Sequence, residues 1–317
     1  MIVFLVHNEI DKKKWDDCIM QSFNGNVYAY SWYLDLVHEE WDALVEGDYQ
    51  RVMPLTLKKK FGITYYYQPF FTQQFGVFSI SILNPDIVEQ FISKIPSHVK
   101  LIDVNFNSFN KLSGRKYNLI SNANYLLDLI NDYPKLASKY SNNTKRNLKK
   151  GLKNKLTFMK GVKPENIISL FRSNRGSHIT KWTDKNYIVL QRIIYKAIYK
   201  GMGFTCGVYT AQNELCAAAF FLKNNNRLIF LFSGSDNAAR DNGAMTFLID
   251  SIIRNNSPGG RVFDFEGSNN ENLARFYKGF GAKKTTYTRL KIIRLNFVLR
   301  FILKIYNKLF NREASSS

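Results

Sequence analysis

The segment Val262 to Ala282, VFDFEGSNNENLARFYKGFGA, changes hydrophobic period midway, and that change dictates a strand handing over to a helix. Val262 to Glu266 alternates apolar and acidic residues, the period of an extended strand. This predicts Asp264 and Glu266 on one face and Phe263 and Phe265 on the other. Gly267-Ser268-Asn269-Asn270 supplies turn and N-cap chemistry. Leu273, Phe276, Tyr277 and Phe280 then recur at helical spacing, and Gly281 closes the helix. Two carboxylates at a strand–helix junction, with a tyrosine on the helix, form an arrangement suited to acid–base chemistry.

The block upstream has the same form. Asn226 to Ser233, NRLIFLFS, reads as a buried strand, and Gly234-Ser235-Asp236-Asn237 breaks it. Ala239 to Ala244 follows as a small-residue loop, and Met245 to Arg254 is an apolar-periodic helix. A loop of this kind at a helix N-terminus offers free backbone N–H groups to an anion.

Read more coarsely, the chain interleaves helices and strands twice. Before residue 130, helices are predicted at Ser31 to Glu40 and Pro85 to Ile95. The strands expected there are Trp41 to Glu46, Arg51 to Lys58, Ile63 to Gln68, Val99 to Phe106 and Asn122 to Leu127. After it come helices at Pro164 to Asn174 and Asp184 to Tyr199, and strands at Phe204 to Tyr209, Leu215 to Leu222 and Thr285 to Ile292. The expectation is a mixed α/β fold (α+β) of two related units, 1–130 and 131–293, each a mainly antiparallel sheet flanked by helices. Residues 294–317 form a basic amphipathic tail, whose stretch 294–312 suits either the domain surface or an anionic bilayer.

With 45% hydrophobic and 15% aromatic residues in 317, the chain has the composition of a folded globular protein. Its net charge of +20 implies an anionic partner or surface. Ten Lys or Arg and no acid lie between Tyr133 and Pro164, centred on Ser141 to Lys150; aromatic residues are sparse there, so the run suits phosphates better than stacked bases. Cys18, Cys206 and Cys216 have no metal or redox spacing, and the four histidines are scattered, so no metal is expected. With no secretory leader and no transmembrane-length run, the expected location is cytoplasmic, with peripheral contact at the inner face of the membrane as an option.

Asn270, Leu273, Phe276, Tyr277 and Gly281 resemble the last helix block of the GNAT acyltransferases, with Leu273 and Ala282 departing from its pattern. Ser141, Thr144, Lys145, Arg146 and Asn147, with the blocks from Asp264 to Ser268 and from Ala274 to Gly281, resemble the Fem-type branch of that superfamily. The resemblance implies acyl transfer to an amine. The donor is acyl-CoA in one reading; in the other it is aminoacyl-tRNA, with a cell-envelope precursor as acceptor. For acyl-CoA the resemblance puts the pyrophosphate on Arg240, Gly243 and Ala244, with Met245 departing from the pattern. It places oxyanion donors in the strand ending at Phe232 and Ser233, with Asn270 on the same donor side. In this frame Glu266 takes the amine proton, Tyr277 protonates the leaving group, and Asp264 is structural or substrate-binding. Gln73 and Gln74, in the aromatic loop Pro69 to Gly76, and Arg175, in a loop between helices, are candidate acceptor contacts. A non-catalytic module holding a polyanion or a membrane is the reading from another class.

Overall fold

The computed structural model describes residues 1–113, 117–179, 182–224, 226–267 and 269–295. The first half contains β1 (Ile2–Leu5), α1 (Lys12–Gln21), α2 (Ser31–Val37), β2 (Asp42–Glu46), β3 (Arg51–Leu55), β4 (Leu57–Lys60) and β5 (Ile63–Tyr67). It continues through β6 (Phe78–Ser79), α3 (Pro85–Lys94), β7 (Val99–Phe106) and β8 (Asn118–Asp128). The second half opens with α4 (Tyr133–Ser138), α5 (Asn142–Lys153), β9 (Thr157–Lys160), α6 (Pro164–Ser173) and α7 (Asp184–Tyr199). It ends with β10 (Gly203–Tyr209), β11 (Leu215–Lys223), β12 (Arg227–Ser235), α8 (Ala239–Asn242), α9 (Ala244–Asn255), β13 (Val262–Asp264), α10 (Glu271–Lys278) and β14 (Lys283–Ile293).

Local chemistry sets the boundaries. Asp11 caps α1, Asn84 caps α3 ahead of Pro85, and Ser141 caps α5, each side-chain oxygen accepting a first-turn N–H. Asn270 does the same for α10, receiving the N–H groups of Asn272 and Leu273 at 3.0 and 3.2 Å.

The mixed α+β class is as expected, and the strands of the two halves run on into one sheet. Its ten strands lie in the order β4-β5-β7-β14-β8-β13-β12-β11-β10-β9, beside a four-stranded sheet β1-β2-β3-β6. The last strand among the described residues, β14, inserts between two strands of the first half. It pairs antiparallel with β7 from Thr288↔Phe106 to Ile293↔Leu101, and with β8 from Lys283↔Leu126 to Lys291↔Asn118. Arg294, just past it, donates to the carbonyls of Ile95 and Pro96 at 3.1 and 3.0 Å. The tail segment 294–312 lies outside the described residues from position 296 onward.

Helices cover the sheet unevenly. Trp15, Tyr33 and Leu34 of the first half share a buried cluster with Ile167, Leu190 and Ile194 of α6 and α7. A second cluster joins α9 and α10 to β11, β12 and β13, and a third sets α3 against β7 and Leu290 of β14. The three cysteines are buried and free. No helix among the described residues is long and apolar enough to cross a membrane.

Residues 1–130 produced alone lack β14, which leaves β7 and β8 with unpaired edges and Val104 and Phe106 without Leu290. We expect this fragment to show no cooperative thermal transition. A sharp transition with native-like near-ultraviolet circular dichroism would contradict the topology.

Candidate active site

The site begins where two parallel strands part. β12 and β13 pair from Arg227↔Val262 to Ile229↔Asp264 and no further. On its other side β12 stays paired with β11 as far as Ser235, and Leu231 bulges between Phe230 and Phe232. The stretch from Phe230 to Ser235 thus turns one edge toward a cleft of about 720 Å³. Ser233, Arg175, Asn270 and Tyr277 line this cleft together, along with Asp236 and Phe276.

Past β13 the chain departs from the expected alternation. The strand ends at Asp264, and Glu266 adopts a left-handed conformation with φ 59°, which a non-glycine residue holds only under local constraint. Asp264 provides the constraint. Its Oδ1 accepts the Glu266 N–H at 2.9 Å, while its Oδ2 accepts Arg227 Nη1 at 2.7 Å, so both oxygens of this buried carboxylate are engaged within the protein. Tyr125 on β8 closes the turn from the other side, accepting the Phe265 N–H at 3.0 Å.

Four tyrosines surround the Glu266 carboxyl. The Tyr28 hydroxyl donates to Oε1, and Tyr33, Tyr277 and Tyr287 all feel the carboxylate's charge, which raises their own pKa values. Removal from water pushes the Glu266 pKa from 4.5 to about 8; the Tyr28 hydrogen bond opposes the shift and the Asp264 charge adds to it. Burial, then Glu266, pushes Tyr277 and Tyr287 up to about 12, with Arg175 pulling Tyr277 back down. A carboxyl poised near neutrality beside hydroxyls that keep their protons is suited to exchange protons with a substrate.

The Glu266 charge reaches a tyrosine in each of two clefts. Tyr277 lines the one at the parted strands. Tyr287 lines a second, of about 880 Å³, on the open sheet face bounded by Tyr65, Tyr67, Asn105, Asn122 and Arg289. Gln73 stands nearby: its Nε2 donates to Asn124 Oδ1 at 3.4 Å, and it flanks Gly267. Gln74 points elsewhere, buried in a small recess with Asn26 and Arg227 and donating to Gln73 Oε1 at 2.6 Å.

The remaining candidates fall apart from this group. The Phe232 ring packs on Phe171 at 4.7 Å in the core, so only its backbone borders the parted strands. Gly243 has φ 77°, and a Cβ there would lie 2.3 Å from the Asn147 carbonyl oxygen. The α5 backbone thus packs directly against Gly243, where the sequence suggested an open anion site, while Met245 and Thr246 of the first turn of α9 line clefts. Ala244 is buried, and its N–H is taken by Asn242 Oδ1 at 2.9 Å. Arg240 belongs to α8, and its side chain lies outside the described residues.

Sequence reasoning missed Tyr28, Tyr33, Arg227 and Tyr287. Tyr287 had a readable signal, because Tyr287, Arg289 and Lys291 alternate along β14 as a polar face. Tyr28 had none, since it meets Glu266 across 238 positions of sequence.

No protein-family model and no curated protein sequence matches the chain. Among solved structures, FemX superposes with a TM-score of 0.64 at 12% identity, over 93% of this chain and 98% of FemX. The fold is that of FemX. A domain of a protein assigned as a lysylphosphatidylglycerol synthetase of Agrobacterium fabrum superposes at TM-score 0.58 and 11% identity, over 93% of this chain and 95% of that one. L-PGS from Bacillus licheniformis does so at 0.56 and 10%, over 92% and 95%.

Because the folded Glu266 pKa lies above its ordinary value, the folded state holds the extra proton, and stability falls as pH rises from about 4.5 toward about 8. Glu266→Gln should flatten that fall. Tyr28→Phe removes the bond that favours the charged form and should move the Glu266 titration, followed by carboxyl NMR, to higher pH. A Glu266 midpoint near 4.5 in the wild type would contradict the site's electrostatics.

Proposed function

We propose that the chain transfers an acyl group, carried as an aminoacyl ester on tRNA, to an amine. The observation that carries this reading is that the buried Glu266 carboxyl acts on a tyrosine in each of two clefts, Tyr277 in one and Tyr287 in the other. In the proposed arrangement the ester lies in the cleft at the parted strands, its carbonyl oxygen against N–H groups of the β12 edge near Ser233. The amine arrives from the Tyr287 side. Its nitrogen attacks the carbonyl carbon while ionised Glu266 takes its proton, directly or through a water. As the C–O bond breaks, Tyr277 protonates the departing ribose oxygen. The tyrosinate, with a proton affinity near 12, then recovers a proton from Glu266, near 8, and the cycle closes.

Two features weigh toward a tRNA ester over acyl-CoA. The α5 backbone stands against Gly243, where the sequence reading set the coenzyme A pyrophosphate on Arg240, Gly243 and Ala244. All ten cations between Tyr133 and Pro164 are exposed on α4, α5, β9 and the adjoining turns. The similar folds of FemX and of a protein assigned as a lysylphosphatidylglycerol synthetase agree with aminoacyl transfer to a cell-envelope precursor or lipid. We therefore place the reaction in the cytoplasm or at the inner membrane face, and we read residues 1–130 as the acceptor side.

The test is transfer from charged tRNA and from acyl-CoA to a panel of amines. Replacing Lys145, Arg146, Lys149 and Lys150 by Gln should lower transfer from tRNA at least about tenfold and flatten its dependence on log salt. Tyr277→Phe should lower kcat by roughly a hundredfold with little loss of stability. Turnover with acyl-CoA and none with tRNA would overturn the donor assignment. Wild-type kcat in both Tyr277→Phe and Glu266→Gln would overturn the mechanism.

A further inference from the structure

Helix α7 carries a surface that the proposed chemistry does not use. Its inner side, with Leu190, Ile193, Ile194 and Ala197, is buried in the core. Its outer side exposes large apolar groups: Ile188 is 54% exposed, Tyr195 47% and Tyr199 84%. At helical spacing these form one stripe, because residues four, seven and eleven apart return to the same face. Arg192, Lys196 and Lys200 run along its flank, and the Lys196 ammonium lies 5.6 Å from the Tyr199 ring centre.

Between α7 and α2 this face opens into a cleft of about 890 Å³, lined by Trp32, Asp35, Arg192, Tyr195, Lys196 and Lys200. The acids around it are already engaged. Asp35 is held by Lys12 at 3.0 Å and by Trp41 Nε1 at 2.9 Å, and Asp184 pairs with Arg172 at 2.8 Å. Glu165 accepts from Gln191 and from the Tyr195 hydroxyl, both at 2.7 Å, and Asp16, which feels Lys200, accepts the Ser31 N–H and hydroxyl. Arg192, Lys196 and Lys200 enter no ion pair among the described residues. At the wall of the cleft the Trp32 indole N–H is buried with no partner, and Trp32 itself is only 7% exposed.

Cations without counter-ions beside exposed aromatic and aliphatic side chains fit one kind of partner. We infer that the α2–α7 face docks on an anionic lipid bilayer, with lipid phosphate at Arg192, Lys196 and Lys200 and with Ile188, Tyr195 and Tyr199 at the headgroup–acyl boundary. Charge complementarity selects this occupant, because an apolar protein partner has no need of three adjacent cations. Basic side chains near an anionic surface are drawn to its phosphates, and tyrosine rings favour the interfacial depth. The inference is independent of the reaction, since none of these residues belongs to the proposed catalytic group, and it concerns a surface other than the 294–312 tail.

The experiment is sedimentation of the full chain with vesicles of phosphatidylcholine alone and of phosphatidylcholine with one-third phosphatidylglycerol. The wild type should bind only the anionic vesicles. Arg192→Gln/Lys196→Gln/Lys200→Gln should weaken that binding at least about tenfold, and Ile188→Ser/Tyr199→Ser should weaken it while leaving its salt dependence in place. Both variants should keep the wild-type circular dichroism spectrum. Truncation after Leu295 should retain binding that is still sensitive to the triple substitution. Absence of binding to anionic vesicles, equal binding to uncharged ones, or an unchanged affinity in the triple variant would overturn the inference.

Discussion

The Arg227–Asp264 ion pair organises the centre of the molecule. Arg227 neutralises one oxygen of a carboxylate that water scarcely reaches, which leaves the other oxygen to hold the Glu266 N–H. That second bond and the backbone bonds to Tyr125 together hold Glu266 in its left-handed turn. Removing Arg227 would leave a buried charge unpaired, a change that typically costs about 3–5 kcal/mol. The pair also spans the parallel ladder, with Arg227 at its first register position and Asp264 at its last, beyond which the strands part and the cleft opens.

The second constraint is the route of the chain. β14 enters the sheet between β7 and β8, and that insertion brings Tyr287 alongside the Glu266 turn, against Gly267. From the other direction the segment before α2 delivers Tyr28 and Tyr33. Three of the four tyrosines around Glu266 therefore come from outside the strand–turn–helix block that carries it. The poised carboxyl is a property of the whole fold, and the two clefts whose tyrosines it acts on come from different stretches of chain.

Much of the local structure could be read from the sequence. Asp184 to Tyr199 is helical over the expected residues, and Asn270 caps α10 as its position before the apolar-periodic run implied. Each of these follows from short-range rules of period and capping. Glu266 shows where such rules stop. Alternation predicted a strand residue sharing a face with Asp264, but a hydrogen bond from its own backbone to Asp264 turned it out of the strand. Gly243 shows the same limit from another side: a glycine before a helix reads as an anion loop, yet here it admits the close approach of a second helix that lies far away in sequence. Strand order, the insertion of β14 and the approach of Tyr28 were beyond reach, because each is decided by contacts between distant segments that leave no local pattern.

The central claim is that the acyl donor and the amine approach Glu266 from opposite sides, the donor at the parted strands. The most direct measurement is a crystal structure with a hydrolysis-resistant aminoacyl-adenosine, in which an amide replaces the ester. The account predicts its carbonyl beside the β12 edge near Ser233, within hydrogen-bonding reach of Tyr277 and with the Tyr65–Tyr287 face left free. Density for the aminoacyl group on that open sheet face, with the cleft at Ser233 vacant, would contradict it.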